Sequence, residues 1–505
     1  MKWIFLALCL VLLAPLVLVD VPPLLDYPNH LARATVLAFG ARDPIVSQFY
    51  AVHWSVIPNL GTDLVLPPLL HFLPVHVAGR VLVGFVVLLP VLGTIAYSRA
   101  VFGVWSYWPF ASAFIAYNAT LLLGFLNFDA SIGIALLLAA LWIVWRENYP
   151  VRTIAATALG TIALFLCHLV GLVFLLVLIA GYELEWLCQQ RRKLAAIVWR
   201  GCTLVPVIVP AGTLYAATQL ATLDPKIEWS SLYDKVWQLT FAVANYIWPL
   251  DVLTAVVLLL FIAGCVAMRR CQVRLCSGLA LLLMGLIYLA SPFAFKETFF
   301  LDTRISILLG YLLFGALLPV RLPRRVAAVA AGVFVVLFGV RMATLAVAWH
   351  GHQRDVAQLR AVIAQVEPGA RVFVTSVSPD EAPDYWRTSP LNRMLSYGIR
   401  LDVHLPALLL IERRAYWPFL FDNPSQQPVE TLPPYRELAA RIGTIPDHHQ
   451  LDIPARVDLC GYDYVLLMDA GGDPNLAQYA TSRLRLLASA DVAALFRVNP
   501  LACHA

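Results

Sequence analysis

The chain has 505 residues, 60% of them hydrophobic and only 13% charged, with a mean hydropathy of +0.76. A water-soluble globular protein of this length needs far more polar surface to cover its core, so that class is excluded. The formal charge of +5 is small and scattered, and no nucleic-acid partner is expected.

The apolar residues come in long runs, at 81–97, 153–182, 252–267 and 326–348. Stretches of about 18 or more residues with few charges have the length of a membrane-crossing helix. The opening segment, 1–23, has only Lys2 ahead of its apolar run and no small-x-small cleavage site before Asp20. It is therefore expected to be a retained first crossing and not a cleaved signal. Basic residues collect between the runs: Lys2, Arg99, Arg146 to Arg152, Arg191–Arg192–Lys193 with Arg200, Arg269–Arg270 with Arg274, and Arg321 with Arg324–Arg325. All fall on one side if the chain crosses about eleven times, which puts the N-terminus in the cytoplasm and everything after residue 349 outside it. Residues 153–182 are read as two short helices that turn near Cys167–His168, because one long crossing would carry Arg191–Arg192–Lys193 to the outer face.

On this count the outer loops are unequal. The first, 20–74, is long and rich in Pro, Asp and His; the second is a brief turn at 122–131; the third spans 219–248 and the fourth 291–306. From residue 350 the pattern becomes that of a soluble domain. "RDVAQLRAVIAQV" has helical spacing, and "ARVFVTSV", "GYDYVLLMD" and "AALFRVN" read as strands. The expected fold class is an all-α polytopic membrane domain, 1–349, followed by a small extracytoplasmic α/β domain, 350–505. The nine cysteines form no C-x-x-C pair and no zinc spacing. Those in or beside apolar runs are expected to be small fillers, while Cys460 and Cys503 are either a disulfide or two thiols.

The first outer loop opens with "LLDYPNHLARATVLAFGARDP". Pro28 suits a first helical position, and from that start Asn29, His30 and Arg33 sit about one turn apart. Leu31, Val36, Leu37 and Phe39 supply an apolar side for a helix lying along a membrane surface. Asp26 stands just before this helix, where a carboxylate can act as a general base or a metal ligand; the bland reading is a helix cap. Further on, Asp63 heads a second expected surface helix, and His53 and Asp63 are candidate members of the site, each more readily read as structural. In the second turn Asp129, beside Asn127, either N-caps the following helix or faces Asp26 across the outer vestibule. His168 is expensive in a membrane unless hydrogen-bonded or facing a wet cavity. The fourth loop brings Lys296, Glu297, Asp302 and Arg304, suited to a phosphate carried on a lipid, or else paired with one another. Asp224, Lys226, Glu228 and Asp234 read as solvated surface.

An acid just past the first helix, a helix along the membrane, a large first outer loop, a second acid in a short outer turn and a C-terminal α/β domain together resemble the GT-C superfamily of integral-membrane glycosyltransferases. "LLDYPNHLARA" is similar to the signature segment of bacterial members. The resemblance implies transfer of a sugar from a polyprenyl-phosphate donor to an extracytoplasmic glycan, lipid or protein acceptor, usually with inversion, in the bacterial inner membrane. It implies Asp26 as the catalytic base, Asp129 as the second acid, and Lys296 and Arg304 as holders of the donor phosphate. The first loop has no D-x-D or D-E pair, so a divalent cation stays open and none is assigned. The alternative is a transporter, flippase or non-catalytic component of cell-envelope polysaccharide assembly. Such carriers place ionisable groups deep in their helices, whereas here they cluster at helix ends.

Overall fold

Among the described residues, six helices are long and apolar enough to cross a membrane: Val75–Phe102, Leu126–Trp145, Pro150–Cys167, Leu169–Cys188, Trp248–Ala267 and Arg324–Ile363. A seventh span results if the bent pair Leu194–Cys202 and Val205–Ala216 is taken as one. Lys2–Val17 and Leu275–Ala290 are apolar but shorter. The computed structural model describes residues 1–189, 193–296, 298–376, 390–440, 459–472 and 483–499. Arg191, Arg192, Glu297 and Cys503 lie outside these.

The expected break in 153–182 falls at His168, whose extended backbone (φ −166°, ψ 129°) separates the Pro150–Cys167 and Leu169–Cys188 helices. The segment after Arg99 differs from a regular crossing. The Val75–Phe102 helix stops at Gly103, whose φ of +73° is a left-handed conformation that glycine takes without strain. Trp108–Ile115 then winds as a 3-10 helix, and Ala119–Leu122 is a single turn.

The chain divides into two compact units. The first comprises Met1–Pro15, Val56–Thr62 and Val81–Leu345. Its helices meet at glycines. A Cβ on Gly133 would lie 2.4 Å from the backbone of Leu89, one on Gly93 would lie 2.8 Å from the Gly133 carbonyl, and one on Gly181 2.4 Å from the Cys276 carbonyl. Backbones that approach this closely exchange dispersion contacts over their whole crossing, which is how helices associate where no water is present to drive them together.

Apart from the buried Asp251–Arg341 pair, the ion pairs of this unit gather at the ends of its helices. At one end, beyond Trp145, Arg146 meets Glu183 at 3.3 Å, Arg200 meets Glu147 at 2.8 Å and also bonds Glu183, and Arg274 meets Glu185 at 3.1 Å. There too Cys271–Val273 pairs antiparallel with Leu317–Pro319, and Arg270 bonds the Arg321 carbonyl. Four of the expected basic connections are thus neighbours. At the opposite end of the Leu126–Trp145 helix, Asn127 accepts from the Thr62 N–H (2.7 Å) and donates to the Asn59 carbonyl (2.7 Å), and Leu60 bonds Leu166. Ile227–Glu228 pairs with Ala294–Phe295, and buried Lys235 donates to the Ser291 carbonyl (2.7 Å) and stands 3.6 Å from Asp302.

The second unit comprises Leu16–Ser55, Asp63–Arg80 and Ala346–Ala505. Most of the first loop therefore folds with the C-terminal region, while Val56–Thr62 belongs to the first unit. Val372–Ser376, wholly buried and rich in β-branched residues, pairs parallel with Tyr464–Met468, the pattern of a strand covered on both faces. Ala493–Val498 adds antiparallel to Tyr464–Met468, and Leu484–Ser489 closes the four-stranded sheet. The helix expected after residue 350 is the end of the 40-residue Arg324–Ile363 helix, which runs unbroken from the apolar stretch. Tyr50–Val52 of the first loop pairs with Val429–Thr431, and the Tyr50 hydroxyl donates to the Trp417 carbonyl. Cys460 is disulfide-bonded, and the cysteines at the apolar helices are free thiols.

The close crossings predict a sharp contrast between glycines. Gly133→Val should destabilise the detergent-purified protein by about 1–3 kcal/mol or more through overpacking against Leu89. Gly285→Ala, where nothing lies within 4 Å of the added carbon, should leave the melting temperature unchanged or slightly higher.

Candidate functional site

The Tyr27–Phe39 helix carries the polar centre of the second unit. Pro28 stands in its first turn, and the Tyr27 ring is fully buried against Gly79, where a Cβ would lie 2.0 Å from the phenol oxygen. Asp26 occupies the N-cap position, but its backbone is helical (φ −84°, ψ −10°) and its side chain makes no capping bond. A capping carboxylate has an extended backbone and accepts from the first-turn N–H groups. The capping reading of Asp26 is thereby corrected. The carboxylate is instead 17% exposed while Tyr27, Pro28, Asn29 and His30 after it are buried, and its Oδ1 lies 3.4 Å from Nε2 of His404.

The helix turns three polar side chains inward. Asn29 accepts from the Phe421 N–H at 2.9 Å, donates to the Phe419 carbonyl at 2.8 Å and lies 3.1 Å from Nδ1 of His404. Arg33, with no exposed surface, grips Asp63 through two parallel bonds of 2.8 and 3.0 Å, and its Nη2 lies 3.1 Å from Nδ1 of His30. Asp63 heads the Gly61–Leu70 helix as expected. Burial raises its carboxyl above the usual range, against the pull of the guanidinium, so the pair depends on Arg33 to stay ionised. The rings of His30 and His404 both meet the edge of Phe421, and His404 also faces Trp417. Arg33 Nη1 and Trp417 Nε1 are buried donors with no hydrogen-bond partner among the described residues. Leu31 and Val36 are buried as well, so this helix is a core element of its unit, with Phe39 the exposed apolar residue at its end.

The remaining candidates are placed differently. His53 is exposed and stands 3.3 Å from Glu430. Asp129, His168, Lys296 and Arg304 belong to the first unit, and Glu297 lies outside the described residues. Asp129 does not cap: its helix starts at Leu126, and it is buried within the first turn, accepting from Asn118 (3.0 Å) and Thr120 (3.2 Å). His168 caps the Leu169–Cys188 helix by accepting from the Val170 N–H, with its ring against Phe128. The guanidinium of Arg304 lies 4.5 Å over Phe125 and 5.9 Å from Phe128. Arg304 does not pair with Asp302, whose partners are Ser230 and Lys235. The Lys296 ammonium donates to the carbonyls of Leu220 and Ala221 at 2.6 and 3.0 Å, a structural anchorage. Asp251 and Arg341, 2.8 Å apart, form a buried pair within the apolar helices that the sequence did not single out.

His404 is the functional candidate that sequence reasoning missed. No local motif marks it, and it meets Asp26 only through folding of the two ends of the chain. Among the described residues no group of three or more His, Cys, Asp or Glu is arranged to hold a metal ion. The chain matches no protein-family model, and no similar curated protein or solved structure is found.

Two outcomes follow from these charges. Asp63→Asn leaves the Arg33 guanidinium buried without its counter-charge and should cost about 3–5 kcal/mol, read as a large fall in melting temperature, with part of the loss recovered when Arg33 is also replaced by Met. Bonds from Arg360 hold the Asp20 carboxyl low, and those from His76 and Arg360 hold Glu412 low. Depressed carboxyl values contribute stability that is present above about pH 4 and lost as the pH falls through the folded values. The part of the melting-temperature loss that depends on Arg360 should therefore appear only below about pH 4, and Arg360→Gln should diminish it.

Proposed function

We propose that the protein is a membrane glycosyltransferase that moves a sugar from a polyprenyl-phosphate donor to an extracytoplasmic acceptor, with Asp26 as the general base. What carries this reading is the condition of Asp26. A carboxylate with some access to solvent stands at the head of a buried helix, does no capping, and is set beside an aromatic-walled imidazole. Structural carboxylates of this chain, Asp63 and Asp251 among them, are committed to buried cations. A general base needs both reach to its substrate and a negative charge, and the positive end of a helix favours that charge.

In the proposed reaction Asp26 takes the proton of an acceptor hydroxyl as that oxygen attacks the anomeric carbon. The bond from the anomeric carbon to the phosphate oxygen breaks, the configuration inverts, and the polyprenyl phosphate leaves with the electron pair. Lys296 and Arg304 belong to the first unit and are given no part in this step. The membrane is the bacterial inner membrane, crossed about eleven times, with the end bearing Arg146, Arg200 and Arg274 in the cytoplasm, in keeping with the positive-inside rule.

The test is complementation of a deletion strain. Asp26→Asn, nearly isosteric but unable to take a proton, should lower glycan modification by about 10²–10⁴-fold while the protein accumulates at the wild-type level. A cell-envelope glycan profile restored by Asp26→Asn would sink the catalytic reading in favour of a transport or assembly role.

A further inference from the structure

We propose that His404, from the C-terminal part of the chain, is a positioning residue that orients the Asp26 carboxylate and holds it in its charged form. The inference rests on Asp26 as the base and names the group that prepares it.

The amide of Asn29 fixes the tautomer of His404. Its oxygen accepts from the Phe421 backbone N–H, and its nitrogen donates to the Phe419 carbonyl. A backbone N–H only donates and a carbonyl only accepts, so the two contacts fix which end of the amide is which. The nitrogen 3.1 Å from His404 Nδ1 is therefore a donor, and Nδ1 must accept. In a neutral imidazole the proton then sits on Nε2, and Nε2 is the atom 3.4 Å from Asp26 Oδ1. That separation is long, as catalytic contacts often are before substrate arrives.

The imidazole is neutral for a second reason. It is buried between Trp417 and Phe421, and burial pushes its pKa down to about 3. His404 therefore cannot take the proton that Asp26 must take. It can only donate, and a donor stabilises the carboxylate over the carboxylic acid. Around the pair, Arg33 and Asp63 neutralise each other beside His30, the Tyr27 phenol is buried, and Asp402, two positions before His404, is paired with Arg400.

Two substitutions separate the two nitrogens. His404→Asn keeps an amide oxygen near the place of Nδ1, able to accept from Asn29, but reaches no further. His404→Gln extends to the place of Nε2 and brings an N–H to Asp26. The readout is carbodiimide modification of Asp26 in the purified full-length protein, followed by mass spectrometry across pH, because the reagent attacks only the protonated acid. His404→Asn should raise the midpoint of modification by about one pH unit or more, the size of a lost hydrogen bond to a charged group. His404→Gln should return it toward the wild-type value, and complementation should be lost with Asn and regained with Gln. An unmoved midpoint in His404→Asn overturns the proposal, as does an equal rise in both variants. Should the Asn variant fail to accumulate, His404→Gln alone decides: a midpoint near wild type is expected, and a rise of about one unit overturns the role. The labelling reports on His404 whatever the reaction is, so activity in Asp26→Asn would remove the enzyme reading without touching it.

Discussion

The side-chain amide of Asn29 is the joint on which the polar centre of the second unit turns. It engages a backbone N–H, a backbone carbonyl and an imidazole nitrogen, all belonging to the stretch from His404 to Phe421. Asn29 and His404 are buried, so losing the amide would leave the imidazole nitrogen without its donor, at the cost of desolvation without return. The same three bonds fix the rotation of the Tyr27–Phe39 helix about its axis. That rotation sets where Asp26 stands and turns Arg33, one helical turn on from Asn29, onto Asp63.

A second constraint is the treatment of charge in a chain so poor in it. Arg33 with Asp63, Arg341 with Asp251, and Lys235 with Asp302 are buried cation–carboxylate pairs, and several have backbone or hydroxyl partners as well. Unpaired, any of these charges would be prohibitively costly in such surroundings. Asp26 differs from these pairs in keeping partial access to solvent, with a neutral imidazole beside it. Departures of that kind concentrate where chemistry is done.

Much of this was legible in the residues. The apolar runs announced the long helices, the charge count required a break near His168, and Pro28 marked the start of the helix behind Asp26. Val372–Ser376, Tyr464–Met468 and Ala493–Val498 followed from β-branched and aromatic runs. Other features had no local signal. His404 lies in "LDVHLPALLL", which reads as an ordinary apolar stretch, and its value comes from a contact with a residue near the other end of the chain. The union of the first loop with the C-terminal region was hidden for the same reason, since strands as short as Tyr50–Val52 and Val429–Thr431 carry no pattern of their own. Asp129 looked like a cap because the sequence does not say that its helix begins three residues earlier, at Leu126.

The claim at the centre of this account is that Asp26 takes a proton during sugar transfer at the membrane. It is tested most directly by reconstituting the purified protein in vesicles that contain a labelled polyprenyl-phosphate sugar and following the fate of the label. The account predicts that the wild-type protein releases polyprenyl phosphate and passes the sugar to an acceptor hydroxyl with inverted anomeric configuration, while Asp26→Asn leaves the donor intact. Equal consumption of the donor by both proteins, or movement of the intact donor across the bilayer with no bond broken, would contradict it.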